Sequence, residues 1–196
     1  MRDQLRMQRQ RDFSPHHVLI CAASNALEDA EEKRPGYYNY ELTCITFCAL
    51  ALEALANAFG EKFITRWEDF ESASPIAKLR IICQHFQILP DFGCDHPWGT
   101  ALWLVRFRNK IAHAKPEFVK EDRKISREEY DRLRFESPKS KLEEQVTLAN
   151  AQRAFRCVCA IHGLLCDQIP AEKLGGLLSD GWSGQTGVAD EPQFHI

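Results

Sequence analysis

The chain has 196 residues, 44% of them hydrophobic and 27% charged, which suits one globular domain whose core needs neither disulfides nor metal. A formal net charge of −3 and a pI near 6.2 exclude a broadly basic protein, so any nucleic-acid contact must come from a local patch. No run reads as the roughly 18 apolar residues of a membrane span. The arginines of "MRDQLRMQRQRDF" lead into no apolar segment, so no secretory signal is read and a cytoplasmic location is expected.

In chain order, helical periodicity dominates and strand-like alternation is nearly absent. A first helix is predicted over about 14–33, with Ser14-Pro15 as cap and first-turn proline. "RPGYYN" at 34–39 breaks the chain, and a second helix over about 40–60 should stop at Gly60. Ser74-Pro75 opens a third over about 75–87, and "ILPDFGCDHPWG" is turn chemistry. A fourth helix, about 100–114, must end before Pro116, because Lys115 is pushed out of the α region. The charged insertion 117–141 carries a short helix from Ser126, where Ser126-x-x-Glu129 fits a capping box. A long helix over about 141–168 completes a single domain spanning 1–170. The glycine-rich polar tail, 171–196, is either flexible or an interface arm. The expected architecture is an all-α, mostly antiparallel bundle of about five helices.

Eight cysteines are scattered with no CxxC spacing, which reads as reduced thiols packed as small hydrophobes. The alternative, a zinc site from Cys83-x-His85 and Cys94-x-His96, is disfavoured because side chains two apart on a helix point about 200° from each other. No metal or other cofactor is expected.

Two helices carry a charge where none belongs. From Leu42 to Ala58 the second helix is apolar or small on every side except at Glu53, and a lone buried carboxylate must be paired or protonated. On the fourth helix Arg108 has Ala101, Leu104, Val105, Ile111 and Ala112 at its same-face positions, so it rises from the stripe that should meet the core. A Glu53–Arg108 pair is expected, worth about 3–5 kcal/mol against removal of one partner if both groups are truly buried. A purely structural role, locking two helices in register, accounts for such a pair equally well.

His113 lies on the polar flank with Asn109, Lys110 and Arg106, about 140° around the axis from Arg108 and roughly 7.5 Å along it. An arginine, an asparagine and a histidine so placed suit cleavage of an RNA phosphodiester without a metal. The imidazole can take or give a proton near neutrality, and the guanidinium matches phosphate oxygens. Asn109 can fix the imidazole tautomer or hold a phosphate oxygen. Arg106, Lys110, Lys115, Lys120, Arg123 and Lys124 would form a phosphate-attracting rim, although acids interleaved at 120–134 also fit a mixed solvated face. Trp67, Trp98, Trp103 and Phe107 can stack bases, yet their helical spacing equally fits a core.

With Arg108-Asn109-Lys110-Ile111-Ala112-His113, preceded by "ALEALANAFG" at 51–60 and "SPIAKLRII" at 74–82, the sequence resembles the HEPN superfamily. That family's signature is an arginine, four to six residues, then a histidine, often with asparagine after the arginine. The similarity covers about 15–168 and leaves 117–141 and the tail unmatched. It implies a helical bundle that dimerises with the motif helices together, so that both chains line one cleft. It implies a metal-independent endoribonuclease, a hydrolase of toxin–antitoxin, phage-defence or RNA-processing type, with Arg108, Asn109 and His113 in the active site and Glu53 in support. Arg106, Lys110 and Lys115 would then meet RNA phosphates, and an antitoxin or other regulatory protein is a possible partner. The alternative the family offers is a non-catalytic module that binds a nucleotide or a partner protein. Members silenced by an adenylylating antitoxin carry a tyrosine two residues after the histidine, where this chain has Lys115; that control is not implied here.

Overall fold

The structure, a computed structural model, describes residues 5–11, 13–178 and 182–188. Five α-helices of 11 residues or more build the body: α1 (Pro15–Glu31), α2 (Tyr37–Phe63), α3 (Pro75–His85), α4 (Thr100–Ala112) and, after the short α5 (Arg127–Leu133), α6 (Leu148–Cys166). The all-helical expectation for the body therefore holds.

α2 is the hub, packing against α1, α3, α4 and α6. Its longest contact is with α1, whose inward face is made of Ala23, Ala26 and Ala30, three and four residues apart, so the two backbones approach closely. Phe59, Leu52 and Leu55 of α2 are fully buried with Leu104 and Phe107 of α4 and Ile161 and Leu165 of α6. By length and hydropathy α2 is apolar enough to cross a membrane, which the sequence reading did not anticipate; half of its most apolar window is buried against its neighbours.

Two boundaries differ from expectation for a local reason, and one cap forms only in part. α2 does not stop at Gly60 but runs on to Phe63. Gly60 is there because the Trp67 indole lies against it: a β-carbon would fall 2.2 Å from the ring. α6 begins at Leu148 rather than near 141. The Thr147 hydroxyl accepts the Asn150 N–H at 3.2 Å, and the Asn150 amide donates to the Gln145 carbonyl at 2.8 Å; these local bonds fix the start of the helix after a tight turn at Glu143–Gln145. At Ser126 half of the capping box forms: its hydroxyl accepts the Glu129 N–H at 3.1 Å, while the Glu129 carboxylate turns to Arg123.

The tail is where the structure departs furthest from the sequence reading. Residues 171–178 fold onto the bundle as α7 (Ala171–Leu174) and a tight turn over Gly175–Leu177, with Leu174 and Leu177 buried. Beyond it, β2 (Trp182–Val188) pairs antiparallel with β1 (Leu5–Arg11), from Leu5 opposite Val188 to Arg11 opposite Trp182. Strand alternation was not read in either segment. The rest of the tail, 179–181 and 189–196, lies outside the described residues.

Ser14 and four side chains from α1, α2 and α6 grip carbonyls at the end of α7 and in this turn. Ser14 Oγ and His17 Nε2 donate to Gly176 at 2.8 and 3.1 Å, and Lys62 Nζ donates to Leu174 at 3.1 Å. His16 Nε2 and His162 Nε2 meet Leu177 at 3.3 and 2.9 Å. Since a carbonyl only accepts, each imidazole must carry its proton on Nε2. Ser14, expected as the cap of α1, spends its side chain on this clasp instead.

Candidate functional site

α4 is launched from a turn in which the His96–Pro97 peptide is cis and Gly99 sits so close to the Cys94 carbonyl that a β-carbon would be 1.7 Å from the oxygen. Only glycine fits such an approach. Ala101, Leu104, Val105 and Phe107 then drive one face of α4 into the core. The apolar stripe thins at the C-terminal end, where Ile111 is half-buried and Ala112 exposed. Arg108 stands where the core meets solvent.

Its guanidinium donates from Nη2 to Glu53 Oε2 on α2 and from Nη1 to Asn109 Oδ1 at 3.1 Å. The expected pair is therefore formed. Arg108 and Glu53 retain 28% and 29% of their side-chain surface, so neither is the fully buried charge that the 3–5 kcal/mol figure assumes. Glu53 also opens onto a groove of about 480 Å³ shared with Asn57, Glu61, Glu71 and Lys78.

His113 is the residue that ends α4, exposed to solvent, its backbone N–H bonded to the Asn109 carbonyl at 3.1 Å. It lines a second groove, of about 540 Å³, together with Lys110, Lys115, Glu117, Lys141 and Glu143. Arg106, Lys110 and Lys115 are all exposed. Arg108 is turned to α2, and His113 faces the loop that follows α4. One protomer thus gives the two groups separate surroundings. Asn109 serves Arg108 in this arrangement, not the His113 imidazole.

The outer part of the expected basic rim is neutralised locally. Arg123 pairs with Glu121 and Glu129, and Arg127 with Asp131 at 3.3 Å, which makes this segment a mixed solvated face. The aromatic side chains are core: Phe107 is fully buried, Trp67 and Trp98 nearly so, and Trp103 is half-covered with Arg153 over its ring. The Cys83/Cys94 set does not assemble, since Cys83 is buried and Cys94 donates to Asp91 at 2.7 Å.

Two further charges escaped the sequence reading. Lys78 is 3% exposed and donates to Asn57 Oδ1 at 2.9 Å, beside the groove that Glu53 opens onto. Glu41 is 6% exposed; burial pushes its carboxyl above the ordinary range, partly opposed by the Leu148 N–H at the start of α6. Both signals were present: Lys78 has Pro75, Ile81 and Ile82 at its same-face positions, and Glu41 has Cys44, Ile45 and Cys48.

No protein family, curated protein or solved structure matches this chain.

Proposed function

We propose that the chain is a HEPN-type, metal-independent endoribonuclease that works at a cleft between two copies. The observation that carries this reading is the tethered arginine. Arg108 is fixed by Glu53 and Asn109 yet keeps 28% of its side chain open, five residues before an exposed histidine set among Lys110 and Lys115. A guanidinium held still before substrate arrives loses little freedom when it takes a phosphate oxygen. In the proposed reaction His113 removes the 2′-hydroxyl proton and the 2′-oxygen attacks phosphorus. The bond to the 5′-oxygen breaks, and that oxygen takes a proton from an imidazole, leaving a 2′,3′-cyclic phosphate. Arg108 bears the charge that builds on the phosphorane. Because Arg108 turns to Glu53 while His113 lines a different groove, the reading calls on a second copy to bring its own pair opposite.

The test is incubation of purified protein with mixed-sequence RNA in EDTA. Cleavage leaving cyclic phosphate ends, lost in His113→Ala with an unchanged circular dichroism spectrum and melting temperature, is the expected result. RNA left intact by the unaltered protein refutes the nuclease reading. The second reading, a non-catalytic module that binds a nucleotide or a partner protein, is favoured by the orientation of Arg108 toward Glu53, away from the groove lined by His113. Nucleotide binding without cleavage is its signature.

A further inference from the structure

The aromatic residues singled out in the sequence are core, and the structure puts a different ring in the open beside His113. Phe118 is 93% exposed. Its chain neighbours Glu117 and Val119 both line the groove of about 540 Å³ that holds His113, so Phe118 stands on the lip of that groove. Phe135, nearly as exposed, has the Arg134 guanidinium over its ring at 4.7 Å. Among the described residues no ring or cation covers Phe118.

The groove itself suits an anion. Lys110 comes from the last turn of α4, Lys115 from the loop after it and Lys141 from the far end of the charged insertion, and all three are exposed. Among the described residues none of the three is in an ion pair or a side-chain hydrogen bond. Of the two carboxylates on the same walls, Glu143 is already committed. It accepts the Ser140 N–H at 2.7 Å, while Ser140 Oγ accepts the Glu143 N–H at 3.2 Å. This reciprocal cap fixes the turn that carries Lys141. Three lysines and an imidazole thus outweigh Glu117, in a space within the roughly 300–1,000 Å³ of small-ligand sites.

We infer that the groove takes an unpaired stretch of RNA, with a phosphate among Lys110, Lys115 and Lys141 and an adjoining base stacked on Phe118. The inference rests on the nuclease reading for the polymer and adds a reason for that site to choose single strands. Stacking needs a free π-face: inside a duplex each face is covered by the next base pair, whereas an unpaired base can turn onto the ring. Phosphate and base are joined through one sugar, so cations in the groove and a ring on its lip can hold both at once. An acidic peptide would satisfy the lysines and leave the ring unused. Phe118 and Lys141 belong to the segment that the family resemblance leaves unmatched, so the preference is a property of this chain.

The experiment uses the full-length protein and a fluorescein-labelled, mixed-sequence 2′-O-methyl RNA, which has no 2′-hydroxyl proton to give and stays intact during anisotropy titrations. The RNA is offered as a single strand and annealed to its complement. Phe118→Ala removes no buried contact and should melt with the parent. It should weaken single-strand binding about fivefold or more and leave duplex binding within about twofold, while Phe118→Trp keeps the parent's affinity. Lys115→Gln with Lys141→Gln should lower the log–log salt slope by roughly 0.7 for each lysine, whether or not Phe118 is present. Unchanged affinity in Phe118→Ala, an equal loss on the duplex, or no recovery in Phe118→Trp would overturn the assignment. So would a parent protein that binds neither RNA, or a Phe118→Ala protein that sediments as a smaller assembly, which would mark the ring as a contact between copies. Cleavage of ordinary RNA in EDTA is scored separately. Phe118-dependent binding without cleavage leaves the groove standing and the nuclease reading fallen; cleavage with Phe118-independent binding does the reverse.

Discussion

The Arg108 guanidinium reaches from α4 to the Glu53 carboxylate on α2, and each side chain keeps more than a quarter of its surface in water, 28% and 29%. Water at both ends screens the pair, so Glu53→Gln and Arg108→Gln should each cost about 1–2 kcal/mol, below the 3–5 of a sealed pair. Urea denaturation reads this directly. A loss above about 4 kcal/mol would mean that the charges are desolvated, and no loss at all that the contact is incidental. If the pair serves phosphate binding, both variants should lose RNA cleavage out of proportion to their stability.

Gly60 and Trp67 make a packing prediction with a definite sign. A β-carbon at position 60 lands inside the indole, 2.2 Å from Cε2, and Trp67 is 4% exposed with little room to move. Gly60→Ala, normally favourable in a helix interior, should destabilise by about 1–3 kcal/mol through overpacking. Pairing it with Trp67→Leu should recover part of the loss in a double-mutant cycle. Stabilisation by Gly60→Ala alone would contradict the contact.

Glu41 makes the pH dependence predictable. Burial raises its carboxyl above the value of the unfolded chain, so between those two values the folded protein binds the extra proton. Stability therefore falls as pH rises through that window, and above it the charged, buried carboxylate continues to cost. Glu41→Gln removes the ionisation while keeping an acceptor for the Leu148 N–H. Its stability relative to the parent should improve from pH 4.5 to pH 7. Parallel pH curves for the two proteins would show that Glu41 does not titrate as described.

The cysteines sort by depth. Burial pushes Cys83 up to about 11 and Cys157 up to about 12, while Cys48 is raised by its hydrogen bond with Cys44 and by burial. Cys21, Cys94 and Cys159 are exposed. Iodoacetamide at pH 8 should label the native protein at those three positions at most, with Cys159 slowed because burial raises its thiol and the thiolate is the nucleophile. Mass spectrometry showing early modification of Cys83 or Cys157 would mean the bundle opens more readily than its packing indicates.

Periodicity and punctuation made the bundle readable in the sequence, because the apolar faces of α1, α3 and α4 and the caps at Ser74 and Ser126 are local features. The Glu53–Arg108 pair was readable for the same reason: a charge inside an apolar stripe demands a partner. Gly60 was misread because a glycine that ends a helix and one that admits a tryptophan look alike until Trp67 is placed in space. The ribbon was missed because "LRMQRQR" and "WSGQTGV" have no apolar face, and they are stabilised by each other across nearly the whole chain. The clasp was equally hidden, since two histidines in the first turn of an alanine-rich helix announce nothing until Gly176 and Leu177 come to them.

Strands as far apart in sequence as Leu5 and Val188 cannot meet early. Closing so long a loop before the helices have packed is entropically unrewarded, because its only gain would be the pairing of two short, polar segments. The ribbon must therefore be the last part of the molecule to take shape, and an unfinished or partly unravelled chain does not display it. Hydrogen exchange should find its amides among the first to open and the last to regain protection on refolding. Its presence on a molecule is a certificate that everything beneath it has been built.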